Sequence, residues 1–413
     1  MLLFLSDLHL TDTADRSTID LTRLAEALEI QIRRAVERKG IREVKLVLLG
    51  DIFELLKSRI WLDRNLRPWE VATPDHVQAV DDVFAAIVQA NHSFLADLRR
   101  LTEVFPVKLE YLPGNHDLYL NTEMGVSARR RFQELLPLSR TGGTPFEPVF
   151  LDPLYAAMAK HGHEWDPTNR YSEDAAAIGD AVVVEVLLRL PALVATALEV
   201  PETDPRLAFL HELDNLRPQH PRALAYWLLA GLDELGPIAA GARRVLDEGL
   251  QRIARELIDL TGRVRFESTR EIRWWKKFLL QTARALLKKP GMLRLAVRLP
   301  WGGHRPSSYR QDALRDLEDA LTFSGDLRFV LCGHTHLHEL VPMEISRGGR
   351  PCLYINTGTW RRVHRLAEVA FRRAPRTFST WQEECLVCLY NADERKSGLP
   401  SYEVLRFTSG RID

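Results

Sequence analysis

Five times along this chain a short apolar run ends in a turn that carries aspartate, asparagine or histidine. Residues 2–6 (LLFLS) lead into DLHL, which places Asp7 and His9. Residues 44–49 (VKLVLL) end in GDIFE, with Asp51 and Glu54. Residues 107–112 (VKLEYL) lead into PGNHDLY, with Asn115, His116 and Asp117. A run at about 154–160 ends in HGHEWD, with His161 and His163. Residues 328–332 (RFVLC) end in GHTHLHEL, with His334, His336 and His338. Runs of this length bounded by turn residues read as buried strands. The polar groups therefore sit at strand C-terminal ends, where α/β proteins place their sites. A DxH or GD pair alone occurs by chance in many chains. Five such motifs in this order form a specific set.

The spacing between the runs sets the architecture. Helical periodicity at about 19–39 and 74–101 alternates with the early strands, an α/β pattern over residues 1–165. From 166 to 325 strand signals disappear. Apolar residues there recur at helical spacing, as at Ala242, Val245, Leu246, Leu250, Ile253, Leu257 and Leu260, with Gly262 as a stop signal. A stretch that long is a helical insertion rather than a linker. Strand signals return over 326–413, at 328–332, 351–355, 385–390 and 402–407. The expected organisation is a core in two parts, 1–165 and 326–413, around an insertion at 166–325.

Charge excludes some functions. Lys plus Arg equals Asp plus Glu, 56 each, so the chain as a whole is neither a polyanion binder nor an acidic solvating protein. The N-terminal run lacks a basic flank and is interrupted by Asp7, unlike a signal peptide. Residues 181–200 are apolar, but Glu185, Arg189 and Pro191 near their middle argue for a buried helix pair or an oligomer contact over a membrane span. Cys385 and Cys388 form one CxxC without a second ligand pair, so they read as strand residues packed as small hydrophobes. That usage fits a reducing compartment, and a cytoplasmic protein is expected.

The residue types at the strand ends suit a two-metal hydrolase. Two divalent ions held about 3.5–4 Å apart need an anion between them. An aspartate bridges through its two oxygens, and Asp51 is the best-placed candidate. Mixed nitrogen and oxygen ligands suit manganese, iron or zinc better than magnesium or calcium. As a set, Asp7-x-His9, Gly50-Asp51, Gly114-Asn115-His116-Asp117, His161-Gly162-His163 and Gly333-His334-x-His336 resembles the calcineurin-like metallophosphoesterase superfamily. The resemblance covers about 1–165 and 326–360, including the NTGTW stretch at 356–360, and leaves out the insertion.

The resemblance implies an α/β fold of two mixed sheets packed face to face and flanked by helices, a four-layer αββα arrangement carrying the helical insertion. It implies that Asp7, His9, Asp51 and His336 hold one metal, and that Asp51, Asn115, His161 and His334 hold the other. It implies hydrolysis of a phosphodiester, pyrophosphate or phosphomonoester by a hydroxide bridging the ions, with manganese the metal of choice in vitro. His116 would protonate the leaving oxygen or stabilise the transition state, oriented by Asp117. DLHL and GDIFE are also similar to UDP-2,3-diacylglucosamine pyrophosphatases. Those enzymes carry arginine where His116 stands, and their helical caps are much shorter. The GDxVDRG pattern of Ser/Thr protein phosphatases is absent, since Asp51 is followed by IFELL.

The remaining histidines divide. His163 is a candidate substrate-phosphate contact or orienting group beside His161. His338 matches no ligand position and reads as a strand or surface residue. Glu54 is expected to support the ligands rather than bind metal. His76 and His92 lie in a helical run, and His211, His220 and His304 in the insertion without partners at a useful spacing. Residues 272–305 hold nine Lys or Arg and no Asp or Glu, a basic amphipathic pattern with an aromatic start. It suits a solvated face of a cap helix, an anionic membrane surface with peripheral attachment, or nucleic acid. The alternative functions are accordingly a nuclease using the same site and a non-catalytic scaffold. Nothing in the sequence fixes an oligomeric state.

Overall fold

The computed structural model describes residues 1–12, 19–171, 176–217, 221–235, 239–263, 306–324, 326–345, 350–367, 377–395 and 398–412. Two mixed β-sheets organise the chain. The first has the order β11-β10-β1-β2-β3, with β9 also paired to β10. Its members are β1 (Leu2–Leu5), β2 (Val44–Leu49), β3 (Val107–Leu112), β9 (Arg362–Leu366), β10 (Phe378–Tyr390) and β11 (Ser401–Ile412). β1, β2 and β3 run parallel, while β10 is antiparallel to β1, β9 and β11. The second sheet has the order β4-β5-β6-β8-β7. It contains β4 (Phe150–Asp152), β5 (Ala157–Ala159), β6 (Phe329–Cys332), β7 (His338–Ile345) and β8 (Arg350–Thr357). β5, β6 and β8 are parallel, with antiparallel β4 and β7 at the edges.

Side-chain alternation divides the core. Period-two geometry sends Leu2 and Phe4 to one face of β1, and Leu3 and Leu5 to the other. Leu2 and Phe4 join Val47, Leu49, Leu112, Val387 and Leu389 of the first sheet in one buried cluster with Ala157, Ala159, Phe329, Leu331 and Ile355 of the second. Leu3 and Leu5 join the cluster containing Leu24, Leu28, Val83, Phe84 and Ile87 of the helices. On the second sheet, Met158, Val330, Cys352 and Tyr354 pack with Ala313 and Leu317 of the helix Pro306–Ser324. Apolar strands with both faces covered are what parallel pairing between helices requires.

Local chemistry explains the element ends. Asp20 caps the helix Leu21–Arg33 by accepting from the Arg23 N–H at 3.0 Å. The helical run expected over 74–101 is two helices, Pro74–Ala90 and His92–Val104. Asn91 breaks it, and its side-chain amide donates to the carbonyls of Ile87 and Thr11 at 2.8 Å each. The strand expected at about 154–160 is shorter, Ala157–Ala159, because Pro153–Tyr155 forms a 3-10 turn and Ala156 turns at φ 52. β7 was not legible in the sequence. It is an edge strand of mostly half-exposed residues with Pro342 inside, a position that only an edge tolerates.

Among the described residues between 166 and 325 there is no β-strand, and the helices include Arg189–Ala197, Pro221–Glu234, Ala239–Arg263 and Pro306–Ser324. The apolar stretch at 181–200 folds into short consecutive helices, with Glu185 buried in ion pairs to Arg67 and Arg189. Among the described residues no helix is long and apolar enough to cross a membrane. Cys385 and Cys388 lie in different core clusters on β10. Three residues apart on a strand, they face opposite ways. All four cysteines are free and buried. The basic stretch at 272–305, with His220 and His304, lies outside the described residues.

Phe4 is fully buried where the two sheets share a core. Phe4→Ala is expected to cost about 3–5 kcal/mol of stability. An unfolding free energy that stayed within a few tenths of a kcal/mol of wild type would contradict this placement.

Candidate metal centre

The backbone aims the polar turns before any side chain is considered. Asp7, His9, Asp51, His334 and His336 all have positive φ, between 46° and 67°. They make up five of the eight non-glycine residues in that conformation among the described residues. Left-handed backbone is uncommon outside glycine and persists where surroundings over-determine it. Here the turns are tied to one another. The Asp7 N–H donates to Gly50 O at 3.0 Å, and the His9 N–H to Asp51 O at 2.9 Å. The His334 N–H donates to Asp7 Oδ1 at 3.0 Å, and the Thr359 hydroxyl to Asp7 O at 2.6 Å. Glycine is needed where turns touch. A Cβ at Gly114 would stand 2.2 Å from Asp51 Oδ1, and one at Gly333 would stand 2.2 Å from Asp7 Oδ2.

All seven expected ligand residues converge. Three groups bring their ligand atoms within 4.8 Å of one another: Asp7–His9–His336, His9–Asp51–His116 and Asp51–His161–His334. Asp51 Oδ2 lies 3.7 Å from His9 Nε2 and 3.1 Å from His161 Nε2. His336 Nε2 is 2.9 Å from His9 Nε2 and 3.3 Å from Asp7 Oδ1. Asn115 Oδ1 is 3.0 Å from His334 Nδ1. His161 Nδ1 lies 2.9 Å from the Leu49 carbonyl, so that nitrogen carries the hydrogen. Its Nε2 is buried and has no aligned hydrogen-bond partner, though Asp51 is near. A buried imidazole lone pair aimed at a shared carboxylate fits a divalent cation.

The electrostatics agree. Burial would raise the carboxyl of Asp51, but the imidazoles of His161 and His116 override it and hold the group well below its usual range. Burial would lower His161, but the charges of Asp51 and Asp7 lift it to about 10. Positive charge is thus favoured at that point whatever species carries it. His116, partly buried, is lifted to about 9 by Glu54 and Asp51 against its desolvation. Burial pulls His163 down to about 4.

Some residues are placed otherwise than the sequence suggests. Asp117 does not orient His116. Its carboxylate accepts the backbone N–H groups of Gly114 at 2.6 Å, Ile52 at 2.8 Å and Phe53 at 3.3 Å, fixing the loops instead. Glu54 takes the orienting place: Oε1 is 2.8 Å from His116 Nδ1 and Oε2 is 2.9 Å from His9 Nδ1. His163 is buried beside the centre, its ring centroid 5.6 Å from that of His161. His338 opens β7 with Nδ1 2.7 Å from Asn356 O, apart from the ligand groups. His76 bonds Thr73, His92 reaches Gln89 O, and His211 reaches Glu202 O.

Residues from the 166–325 region also reach the centre, and of these only Asp166, the end of HGHEWD, lies in a quoted motif. Asp166 Oδ2 is 3.1 Å from His334 Nε2. The buried Arg217 guanidinium donates to the His336 ring and to the carbonyls of Asp214 and Leu216. Asp214 Oδ2 accepts from Lys57 at 3.0 Å and Arg361 at 2.8 Å. Tyr119 and Tyr171 both donate to Asp180, and Tyr171 also donates to Asn115 O at 3.3 Å. Arginines and acids scattered through helical sequence have no local signature; only their charge marks them.

Comparison with protein-family models and with curated protein sequences returns no match to this chain. The chemistry of the centre therefore carries the functional reading.

Asp180 gives a pH prediction. Burial lifts its carboxyl to about 6, against the hydrogen bonds from Tyr171 and Tyr119. A raised carboxyl favours the neutral form in the folded state. Its stabilisation is complete below the ordinary value of about 4 and is lost as pH rises through about 6. The stability difference between wild type and Asp180→Asn should therefore change across pH 4–6 and be flat above pH 7. Parallel stability curves for the two proteins across that window would refute the buried, raised carboxyl.

Proposed function

We propose that this chain is a dinuclear metal-dependent phosphohydrolase of the calcineurin-like metallophosphoesterase type. On this reading residues 1–165 and 326–413 make up the four-layer αββα core, and the described helices between 166 and 325 belong to an insertion that contributes Asp166, Asp214 and Arg217 to the site. The observation that carries the proposal is the position of Asp51, between Asp7–His9–His336 on one side and His161–His334 on the other. Asp7, His9, Asp51 and His336 would hold one ion, and Asp51, Asn115, His161 and His334 the second. Two such ions supply Lewis acidity and an acidified water.

The protein's own groups do the rest. Glu54 fixes Nδ1 of His116, so Nε2 is the atom left to meet a leaving oxygen. Glu54 also fixes Nδ1 of His9 and turns its Nε2 toward Asp51 and His336. The burial of Asp7, Asp51 and His161 lowers the local dielectric, which strengthens their hold on positive charge. His163 stands near enough to help position a phosphate. The substrate is a phosphate ester or anhydride; a diester is the expected case, and its alkoxide leaving group would take the proton His116 carries. Four buried, free cysteines suit a cytoplasmic setting.

Metal-stripped protein refilled with manganese should bind two ions and hydrolyse bis(4-nitrophenyl) phosphate faster than 4-nitrophenyl phosphate. Asp51→Asn should lose both metal stoichiometry and activity. His116→Ala should keep the ions and lose about 10²–10⁴-fold in kcat on a diester with an alkoxide leaving group, and far less on the 4-nitrophenyl diester, whose leaving group needs little proton donation. Protein that binds no manganese or zinc, or hydrolyses with unchanged rate in Asp51→Asn, would overturn the assignment.

A further inference from the structure

The ring of His334 is held from two sides. On the inner side Nδ1 lies 3.0 Å from Asn115 Oδ1, and the residue groups with Asp51 and His161. On the outer side Nε2 lies 3.1 Å from Asp166 Oδ2. The backbone N–H of His334 is bound to Asp7, so the turn sets where the side chain starts and the two ring contacts set how it is rotated. Tyr309, in the helix Pro306–Ser324, completes the arrangement. Its hydroxyl bonds the Asp166 carboxylate, and its ring leans over that of His334 with 6.2 Å between centroids. Residues from both borders of the helical insertion thus meet behind one candidate ligand.

The outer contact decides which nitrogen of His334 can ligate. A carboxylate has no hydrogen to give, so Nε2 carries the hydrogen and donates it to Asp166. A neutral imidazole then keeps its lone pair on Nδ1, the nitrogen beside Asn115. The carboxylate also raises the basicity of that lone pair. His161, expected on the same ion, is fixed in the opposite sense: its Nδ1 hydrogen goes to the Leu49 carbonyl and leaves Nε2 open. The anchor of His161 is core backbone, whereas the anchor of His334 is a side chain of the insertion. Asp166 has a structural duty as well. Oδ1 accepts the N–H and the hydroxyl of Thr168 at 2.8 Å each, and Oδ2 accepts the Asn169 amide at 2.7 Å. Those bonds shape the turn that enters the insertion. They do not require His334.

We infer that Asp166 is a positioning residue for one of the two ions: it fixes His334 in the tautomer and rotation that offer Nδ1, and Tyr309 holds Asp166 to that task. This rests on the dinuclear reading of the centre and adds to it a part for the insertion in loading metal. Without Asp166 the tautomer with hydrogen on Nδ1 becomes accessible, and that nitrogen then has no lone pair to give. The effect falls on the ion shared by Asn115, His161 and His334. The ion at Asp7, His9 and His336 is spared, because His334 does not belong to that set.

The test counts ions on the full chain. Manganese binding to metal-stripped wild type, Asp166→Ala, Asp166→Asn and Thr168→Ala is followed by calorimetry and metal analysis. Spin coupling within the bound pair is followed by electron paramagnetic resonance. Wild type should bind two ions. Asp166→Ala should hold one ion at wild-type affinity and the other about 10–100-fold more weakly, and lose the coupled signal at limiting manganese. Asp166→Asn, whose neutral oxygen faces His334 in only one amide orientation, should fall between the two. It decides the matter if Asp166→Ala does not fold. Thr168→Ala loosens the same turn without touching His334 and should keep both ions. Nitrogen NMR of the metal-free chain should place the His334 hydrogen on Nε2 in wild type and shift it toward Nδ1 in Asp166→Ala. Both ions at wild-type affinity in the Asp166 variants, or an equal loss in Thr168→Ala, overturns the positioning role while leaving the hydrolase standing. A wild type that binds two ions and hydrolyses no phosphate ester, with one ion weakened in Asp166→Ala, upholds the positioning role and removes the hydrolase.

Discussion

Asp51 is the constraint on which the rest of the centre depends. It is buried, its side chain faces His9 and His161, and its backbone carbonyl holds His9 N–H. Its Oδ1 also accepts the His116 N–H at 2.8 Å. One residue thereby fixes four strand-end turns against each other. A carboxylate so deeply buried is tolerable only where positive charge surrounds it. The imidazoles around it supply that charge in part, and cations complete it in the proposed function.

The fold meets this demand through geometry. Parallel strands of both sheets deliver their C-terminal ends to one place, and left-handed backbone at five positions turns Asp and His side chains inward. The hydrogen bonds that stitch the turns together run between residues far apart in sequence, as from His334 to Asp7. Strain at one turn is therefore held in check by the others. Glycine at 114 and 333 lets the turns approach to a distance at which any side chain would collide with the carboxylate of Asp51 or Asp7. Precision at the centre is thus a property of the assembled loops and not of any single motif.

Much of this was legible in sequence, for a physical reason. A residue that closes a strand and opens a turn has a local signature: an apolar run, a glycine and a polar group at fixed spacing. Asp51, Asn115, His334 and His336 carry it in full, Asp7, His9 and His161 carry the apolar run and the turn without a preceding glycine, and all seven converge. Two mixed sheets were what the family resemblance implied, and two are present. Arg217 and Asp214 carry no such signature, because they come from helical sequence in which charged residues are ordinary, and Asp166 closes the HGHEWD motif beyond the histidines that drew attention to it. The exchange of roles between Asp117 and Glu54 was hidden too. Sequence proximity places Asp117 beside His116, but the turn directs its carboxylate at backbone N–H groups, while Glu54 approaches from another loop. β7 was obscured because an edge strand with one face open need not alternate cleanly.

The double contact of Glu54 has a consequence for how this site can change over time. One carboxylate orients both a candidate metal ligand, His9, and the candidate proton donor, His116. The two functions cannot be adjusted separately through position 54. A substitution that improved the alignment of one imidazole would disturb the other. Variation in leaving-group chemistry is therefore easier to reach by replacing His116 itself than by altering its support. The shared carboxylate ties position 54 to both imidazoles at once, and of its two partners only His116 lies outside the set assigned to the ions.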